Sequence, residues 1–152
     1  MTGSIEWPRG LVDTNILVYA VDAAAGERHL RARQLIEALI RQGDLVVSAQ
    51  VLNEFYVTAT QKLKPGLSRE NARLVVENLQ AWRPVAIERT AVKRAFEVQD
   101  RFQLSFWDSL VVGCAQIAAC GYLLTEDLQD GAEFEGLRVV SPFTHAPDSL
   151  PR

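Results

Sequence analysis

The chain has 152 residues, 48% hydrophobic and 23% charged, and its 16 Lys and Arg against 19 Asp and Glu give a formal charge of −3. This length suits one domain whose core needs no staples, and the composition is that of a globular protein, neither disordered nor collagen-like. A pI near 5.4 argues against gripping nucleic acid through bulk positive charge, although net charge does not say where the acids sit.

Residues 1–10 carry Glu6, Trp7 and Pro8 and lack an apolar core, so they do not read as a signal peptide. Gly10-Leu11-Val12 reads as a first strand, and Thr14 is placed to cap a helix through Ile16, Leu17 and Ala20. The spacing predicts an amphipathic helix over 27–41, with Leu35, Ile36, Leu39 and Ile40 on one face and Gly43 closing it. Leu45-Val46-Val47 is a buried-strand candidate, and Ser48 caps a helix over 50–61. After the Lys64-Pro65-Gly66 turn, Ser68 opens a helix carrying Ala72, Val75, Val76 and Leu79.

Pro84 ends that region, and Val85-Ala86-Ile87 reads as a third strand. Thr90 opens a helix with Val92, Ala95, Phe96 and Phe102, and Ser105 opens another that runs to Cys120 and stops at Gly121. Tyr122-Leu123-Leu124 and Leu137-Arg138-Val139-Val140 are the fourth and fifth strands, which makes residues 1–143 one domain and 144–152 an irregular Pro-rich tail. Strands alternating with helices predict an α/β domain with a mainly parallel sheet, and ligands of such sheets lie beyond the carboxyl ends of the strands. The most apolar stretch, 110–124, is broken by Gln116 and Gly121 and falls short of the roughly 20 residues of a membrane span. Cys114 and Cys120 fall on different sides of one helix-like stretch and read as buried reduced thiols of an intracellular protein. With only His29 and His145 beside them, a zinc cluster is poorly supplied.

Four carboxylates stand where a globular fold has little use for them. Asp13 comes directly after the first strand, Glu54 lies among Val51, Leu52, Phe55 and Val57, Asp108 opens the most apolar helix, and Asp127 comes just after the fourth strand. Each has an ordinary explanation: an N-cap for Asp13, a helix margin for Glu54, a capping box with Ser105 for Asp108, a solvated acidic turn for Asp127. Together they converge on one sheet edge. Isolated buried carboxylates are too costly to stay ionised, so such a cluster is protonated, paired or bound to a cation. Hard oxygen donors without His or Cys point to Mg²⁺ or Mn²⁺.

Leu11-Val12-Asp13-Thr14-Asn15, Leu52-Asn53-Glu54-Phe55, Trp107-Asp108-Ser109-Leu110 and Leu124-Thr125-Glu126-Asp127 occur in the order seen in PIN-domain ribonucleases. The closing Val139-Val140-Ser141-Pro142-Phe143 resembles the final strand of the VapC-type toxins of that family, with Ser141 where Asn is more usual. The resemblance spans 10–143 and implies a three-layer α/β/α sandwich. It assigns Asp13, Glu54, Asp108 and Asp127 to an acidic catalytic metal site, with Thr14, Asn15 and Thr125 in support and Asp130 as a possible further acid. It also implies Mg²⁺- or Mn²⁺-dependent hydrolysis of RNA to 5′-phosphate and 3′-hydroxyl ends, a cognate antitoxin, a homodimer and a cytoplasmic location. The 27–41 helix and the helix bearing Phe55 and Tyr56 are candidates for the antitoxin groove, with core packing as the alternative. Lys62, Lys64, Arg69 and Arg73 form a basic stretch that could touch phosphates or simply face solvent.

Two other classes compete. One is a catalytically silent module that keeps the fold and acts by protein contact; the intact acidic quartet argues against it. The other is a Mg²⁺-dependent phosphatase, which would want an Asp where Asn15 stands. Setting the quartet aside leaves 15 acids against 16 bases, so the remainder of the chain carries +1. The low pI is therefore compatible with an RNA substrate.

Overall fold

The computed structural model describes residues 8–145, so residues 1–7 and the tail beyond His145 lie outside the described residues. β1 (Gly10–Val12) is buried throughout and ends on Asp13, which adopts an extended conformation and becomes the N-cap of α1 (Thr14–Val21). Thr14, expected as the cap, is instead the first helical residue: its N–H donates to Asp13 Oδ1 at 2.8 Å. A short 3₁₀ turn leads into α2 (Glu27–Gln42), which buries Ala32, Leu35 and Leu39 but leaves Ile40 40% exposed. Gly43 ends α2 at φ 76°, a left-handed position that a glycine takes without Cβ strain, and its N–H caps the Leu39 and Ile40 carbonyls.

β2 (Leu45–Val46) leads to Ser48, whose hydroxyl accepts from Val51 N at 3.2 Å and starts α3 (Ala49–Val57). A π-helical turn over Thr58–Lys62 carries the helical run to its expected end. Ser68 caps α4 (Arg69–Gln80) in the same way, accepting from Asn71 N at 3.0 Å. The strand expected over 85–87 does not form. Val85 makes only a single parallel bridge with Ser48, because the chain turns into α3 at Ala49 and offers no further partner.

α5 (Arg89–Phe102) begins one residue before Thr90, and α6 (Phe106–Ile117) is capped by Ser105, which accepts from Asp108 N at 3.1 Å. α6 stops short of the expected Cys120; Ala119 adopts φ 56°, and Cys120 lies in the connection to β3 (Tyr122–Leu124). Both cysteines are free and buried, and burial raises each thiol pKa to about 11. A strand that the sequence does not announce, β4 (Glu133–Phe134), folds back on β5 (Leu137–Val140) through Glu135 and Gly136, both at positive φ as a two-residue hairpin requires.

The five strands lie in the order β2-β1-β3-β5-β4, with only β4 antiparallel. Helices flank this mostly parallel sheet in a three-layer α/β/α sandwich. Leu11, Val12, Leu123, Leu124, Val139 and Val140 are fully buried, which is why these strands read as apolar runs and not as alternation. Val12 pairs with Leu124 and Leu124 with Val140, so the central strands end level with one another. No helix among the described residues is long and apolar enough to cross a membrane.

α5 and α6 pack along their length through Gly113, where an added Cβ would lie 3.3 Å from Arg94 Cγ and 3.4 Å from Ala95 N. Arg94 crosses the same seam, donating to Gln116 at 2.7 Å and pairing with Glu97 and Glu135. Gly113→Val must force the two helices apart. It is expected to lower unfolding free energy by about 1–3 kcal/mol, seen as a lower urea midpoint at unchanged slope.

Candidate active site

The site is assembled at the level carboxyl ends of β1, β3 and β5. Asp13 N donates to Leu124 O at 3.0 Å and Thr125 N to Val140 O at 3.2 Å, so each ladder continues one residue past its strand. Thr125, with no solvent exposure, is the hub. Its hydroxyl donates to Asp13 Oδ2 at 2.8 Å and accepts from Asn15 Nδ2 and from Asp127 N, each at 3.1 Å. Glu54 reaches the same edge from α3: Oε2 accepts from Thr14 Oγ1 at 2.9 Å and Oε1 from Gln50 Nε2 at 3.0 Å.

Asp13 is only 8% exposed. Burial raises its pKa to about 6; the Thr125 and Thr14 hydrogen bonds pull it down, and the neighbouring Asp127 and Glu54 carboxylates push it further up. Desolvation outweighs the hydrogen bonds here. The ion pairs among the described residues involve none of Asp13, Glu54, Asp108 or Asp127. Two buried side-chain oxygens, Asn15 Oδ1 and Gln50 Oε1, have no hydrogen-bond partner among the described residues.

The structure thus brings Asp13, Thr14, Asn15, Glu54, Thr125 and Asp127 together. Asp108 sits half-buried in the first turn of α6, and that turn is tied to the site where Gln50 Nε2 donates to Trp107 O at 3.5 Å. The other acids of the 126–130 loop are engaged elsewhere. Glu126 accepts from the Tyr19 hydroxyl and pairs with Arg28 at 3.5 Å. Asp130, the possible further acid, accepts from Ser141 N at 2.9 Å and lies 2.6 Å from His145 Nε2. Its burial would raise the pKa, but the bonds from Ser141 and His145 prevail and lower it.

Gln50 escaped the sequence reading although its position, one helical turn before Glu54 on a buried face, was a usable signal. Phe55 is fully buried and is core, whereas Tyr56 lines a cavity of about 530 Å³ between α3 and α4 with Leu52, Val57, Arg73 and Val76.

Among the described residues no three Asp, Glu, His or Cys side chains group closely enough to hold a metal ion between them as they stand. The chemistry of the donors nevertheless fits a hard divalent cation. They are oxygens alone, one carboxylate is buried and pressed by two others, and an unpartnered amide oxygen of Asn15 belongs to the same network.

Residues 10–129 match the family model described as the PIN domain. The chain belongs to the PIN-domain family. A comparison with curated proteins gives no match. Among solved structures, the fold of this PIN domain is similar to a chain of a toxin–antitoxin complex from Klebsiella pneumoniae, with a TM-score of 0.64 and 24% identity over 88% of this chain and 97% of that one. It is also similar to a chain of VapBC2 from Rickettsia felis, solved bound to a promoter DNA fragment, at TM-score 0.61 and 15% identity over 86% of this chain and 96% of that one. A third likeness is to VapC20 of Mycobacterium tuberculosis, a toxin that cleaves the sarcin–ricin loop, at TM-score 0.60 and 17% identity over 78% of this chain and 91% of that one.

Asp13 also sets a pH dependence. Its folded pKa of about 6 lies above the unfolded 3.8, so between those values the native state binds more protons and stability falls as pH rises. In metal-free protein the loss approaches about 3 kcal/mol by pH 8. Asp13→Asn is expected to raise the urea midpoint at pH 8 in EDTA and to differ little from wild type at pH 4. A lower midpoint at pH 8 would contradict this account of the buried carboxylate.

Proposed function

We propose that this PIN-domain chain is a metal-dependent endoribonuclease and the toxin of a toxin–antitoxin pair. The observation that carries the reading is Asp13: a carboxylate buried at the end of β1 and crowded by Glu54 and Asp127, with no Lys or Arg among the described residues paired to any of them. Asp13, Glu54, Asp108 and Asp127 are the residues that would hold Mg²⁺ or Mn²⁺. A bound ion of this kind lowers the pKa of its water and neutralises charge on a phosphodiester undergoing in-line attack.

The chain's own residues do the rest. Thr125 fixes the Asp13 carboxylate through Oδ2 while the start of α1 holds Oδ1, so Asp13 cannot swing away. Thr14 and Gln50 fix both oxygens of Glu54. Asp108 or Asp127 accepts the proton of the attacking water, and the 3′-oxygen leaves, giving 5′-phosphate and 3′-hydroxyl ends. The likeness in fold to chains of two toxin–antitoxin complexes and to one toxin, over 78–88% of this chain, supports the toxin role. The antitoxin is assigned the α3–α4 groove around Tyr56 and Val76, whose apolar floor is flanked by Arg73 and Glu77. The reading places the protein in the cytoplasm as a homodimer.

Purified protein should cut single-stranded RNA with Mg²⁺ or Mn²⁺ and not in EDTA. Asp13→Asn and Asp108→Asn should each lose on the order of 100-fold or more in kcat, as expected for removal of transition-state charge stabilisation. Equal cutting by both variants and wild type, or cutting that survives EDTA, would sink the proposal. Thermal unfolding gives a second readout: Mn²⁺ should raise the Tm of wild type and leave that of Asp13→Asn nearly unmoved.

A further inference from the structure

Beside the carboxylates, between α3 and the first turn of α6, opens a cavity of about 500 Å³ lined by Gln50, Asn53, Glu54, Ile87, Trp107 and Leu110. Cavities of about 300–1,000 Å³, mostly apolar with a few convergent polar groups, are the size and character of small-ligand sites. Glu54 belongs both to this wall and to the acidic cluster, so anything seated here lies next to the reacting centre.

Two side chains of the wall are unusual for a merely structural surface. Trp107 is 62% exposed although it stands in α6, whose residues from Ser109 to Ala115 are all buried. Its ring meets Phe106 edge-on, with centroids 5.3 Å apart, and most of the indole is left in solvent. Gln50 is only 7% exposed, and its Nε2 is engaged by Glu54 and by the Trp107 carbonyl. Its Oε1 is buried with no donor among the described residues, an arrangement that costs stability unless a ligand completes it.

We propose that this cavity is a nucleobase subsite, in which one unstacked base of single-stranded RNA lies on the Trp107 indole against Ile87 and Leu110. Asn53 and the Gln50 carbonyl are the hydrogen-bonding groups available to its edge. The inference rests on the ribonuclease reading and deepens it by naming what holds the substrate beside the cut. A base is the occupant whose chemistry matches: flat apolar faces for the indole and aliphatic wall, and a polar rim for the two amides. Single-stranded RNA is held on exposed aromatics in this manner. Because the base and the phosphate belong to one nucleotide or its neighbour, a base held against Glu54's other side brings its own phosphodiester to the acids.

The test uses the whole chain with Mn²⁺ and short single-stranded RNAs of random sequence. RNA should quench the tryptophan fluorescence of wild type, and Trp107→Phe should abolish that quench although Trp7 and Trp82 remain. Trp107→Ala should raise KM roughly 5- to 150-fold, the range for loss of one base–aromatic stack, with kcat within about three-fold and a flattened preference for the base beside the cut. Trp107→Phe should fall between. The exposure of the indole makes both variants safe for folding, which their urea midpoints check. Unchanged KM and unchanged base preference in a Trp107→Ala protein that still cuts would overturn the subsite alone. So would a dimer that becomes monomeric on this substitution with RNA affinity unaltered, since the indole would then cover a second copy. A wild type that cuts no RNA would overturn the ribonuclease reading and the subsite with it.

Discussion

The parallel register of β1, β3 and β5 is the constraint on which everything at the site depends. Leu11–Leu123–Val139 and Val12–Leu124–Val140 stand abreast, so the three strands run out of apolar residues at one level. The next residue of each strand, Asp13, Thr125 and Ser141 in turn, is therefore delivered to a single edge. The chain has little freedom to stagger them, because a slip of one residue would draw a polar successor into the apolar sheet and push an apolar residue out of it at the other end. A row of helix starts and strand ends then supplies both the carboxylates and the hydroxyls that restrain them.

Holding Asp13 there lowers stability. Its pKa of about 6 measures a balance in which burial and two neighbouring carboxylates oppose the hydrogen bonds from Thr125 and Thr14. Thr125 is central to that balance because it meets Asp13, Asn15 and the Asp127 backbone at once, through one hydroxyl without solvent contact. Stability is given up locally where Asp13 meets its neighbouring carboxylates, and the rest of the sandwich, including the close α5–α6 seam at Gly113, supplies the rigid frame. The net charge takes on a different meaning in this light. Part of the chain's acidity is confined to one edge, and the remainder is close to neutral.

Where local sequence pattern misleads, the reasons are specific. Residues 85–87 have the composition of a strand, but Pro84 precedes them and Val47–Ala49 leave the sheet, so only one bridge can form. β4 has two residues and no apolar run to announce it; a hairpin with two positive-φ residues creates it. Ile40 continues a helical stripe that the neighbouring elements do not cover. Cys120 sits beyond the helix that its neighbours suggest, since the turn at Ala119 ends α6 earlier. In each case the local pattern was sound and the partner was missing or unforeseen.

By itself the sequence determined the order of the helices and of the three central strands, the serine caps at Ser48, Ser68 and Ser105, the apolar runs of the buried parallel strands and the places of four acids, two just after strands and two on helices. These are local properties, written in neighbouring residues: apolar runs, capping side chains and turn glycines. Only the tertiary structure decided that Asp127, and not Glu126 or Asp130, joins Asp13. That choice turns on which loop oxygens find other partners, in Tyr19 and Arg28 for Glu126 and in Ser141 and His145 for Asp130. It likewise decided that Gln50 bridges Glu54 to the Trp107 turn. Such pairings link residues as far apart in the chain as Asp13 and Thr125, and no local pattern encodes them.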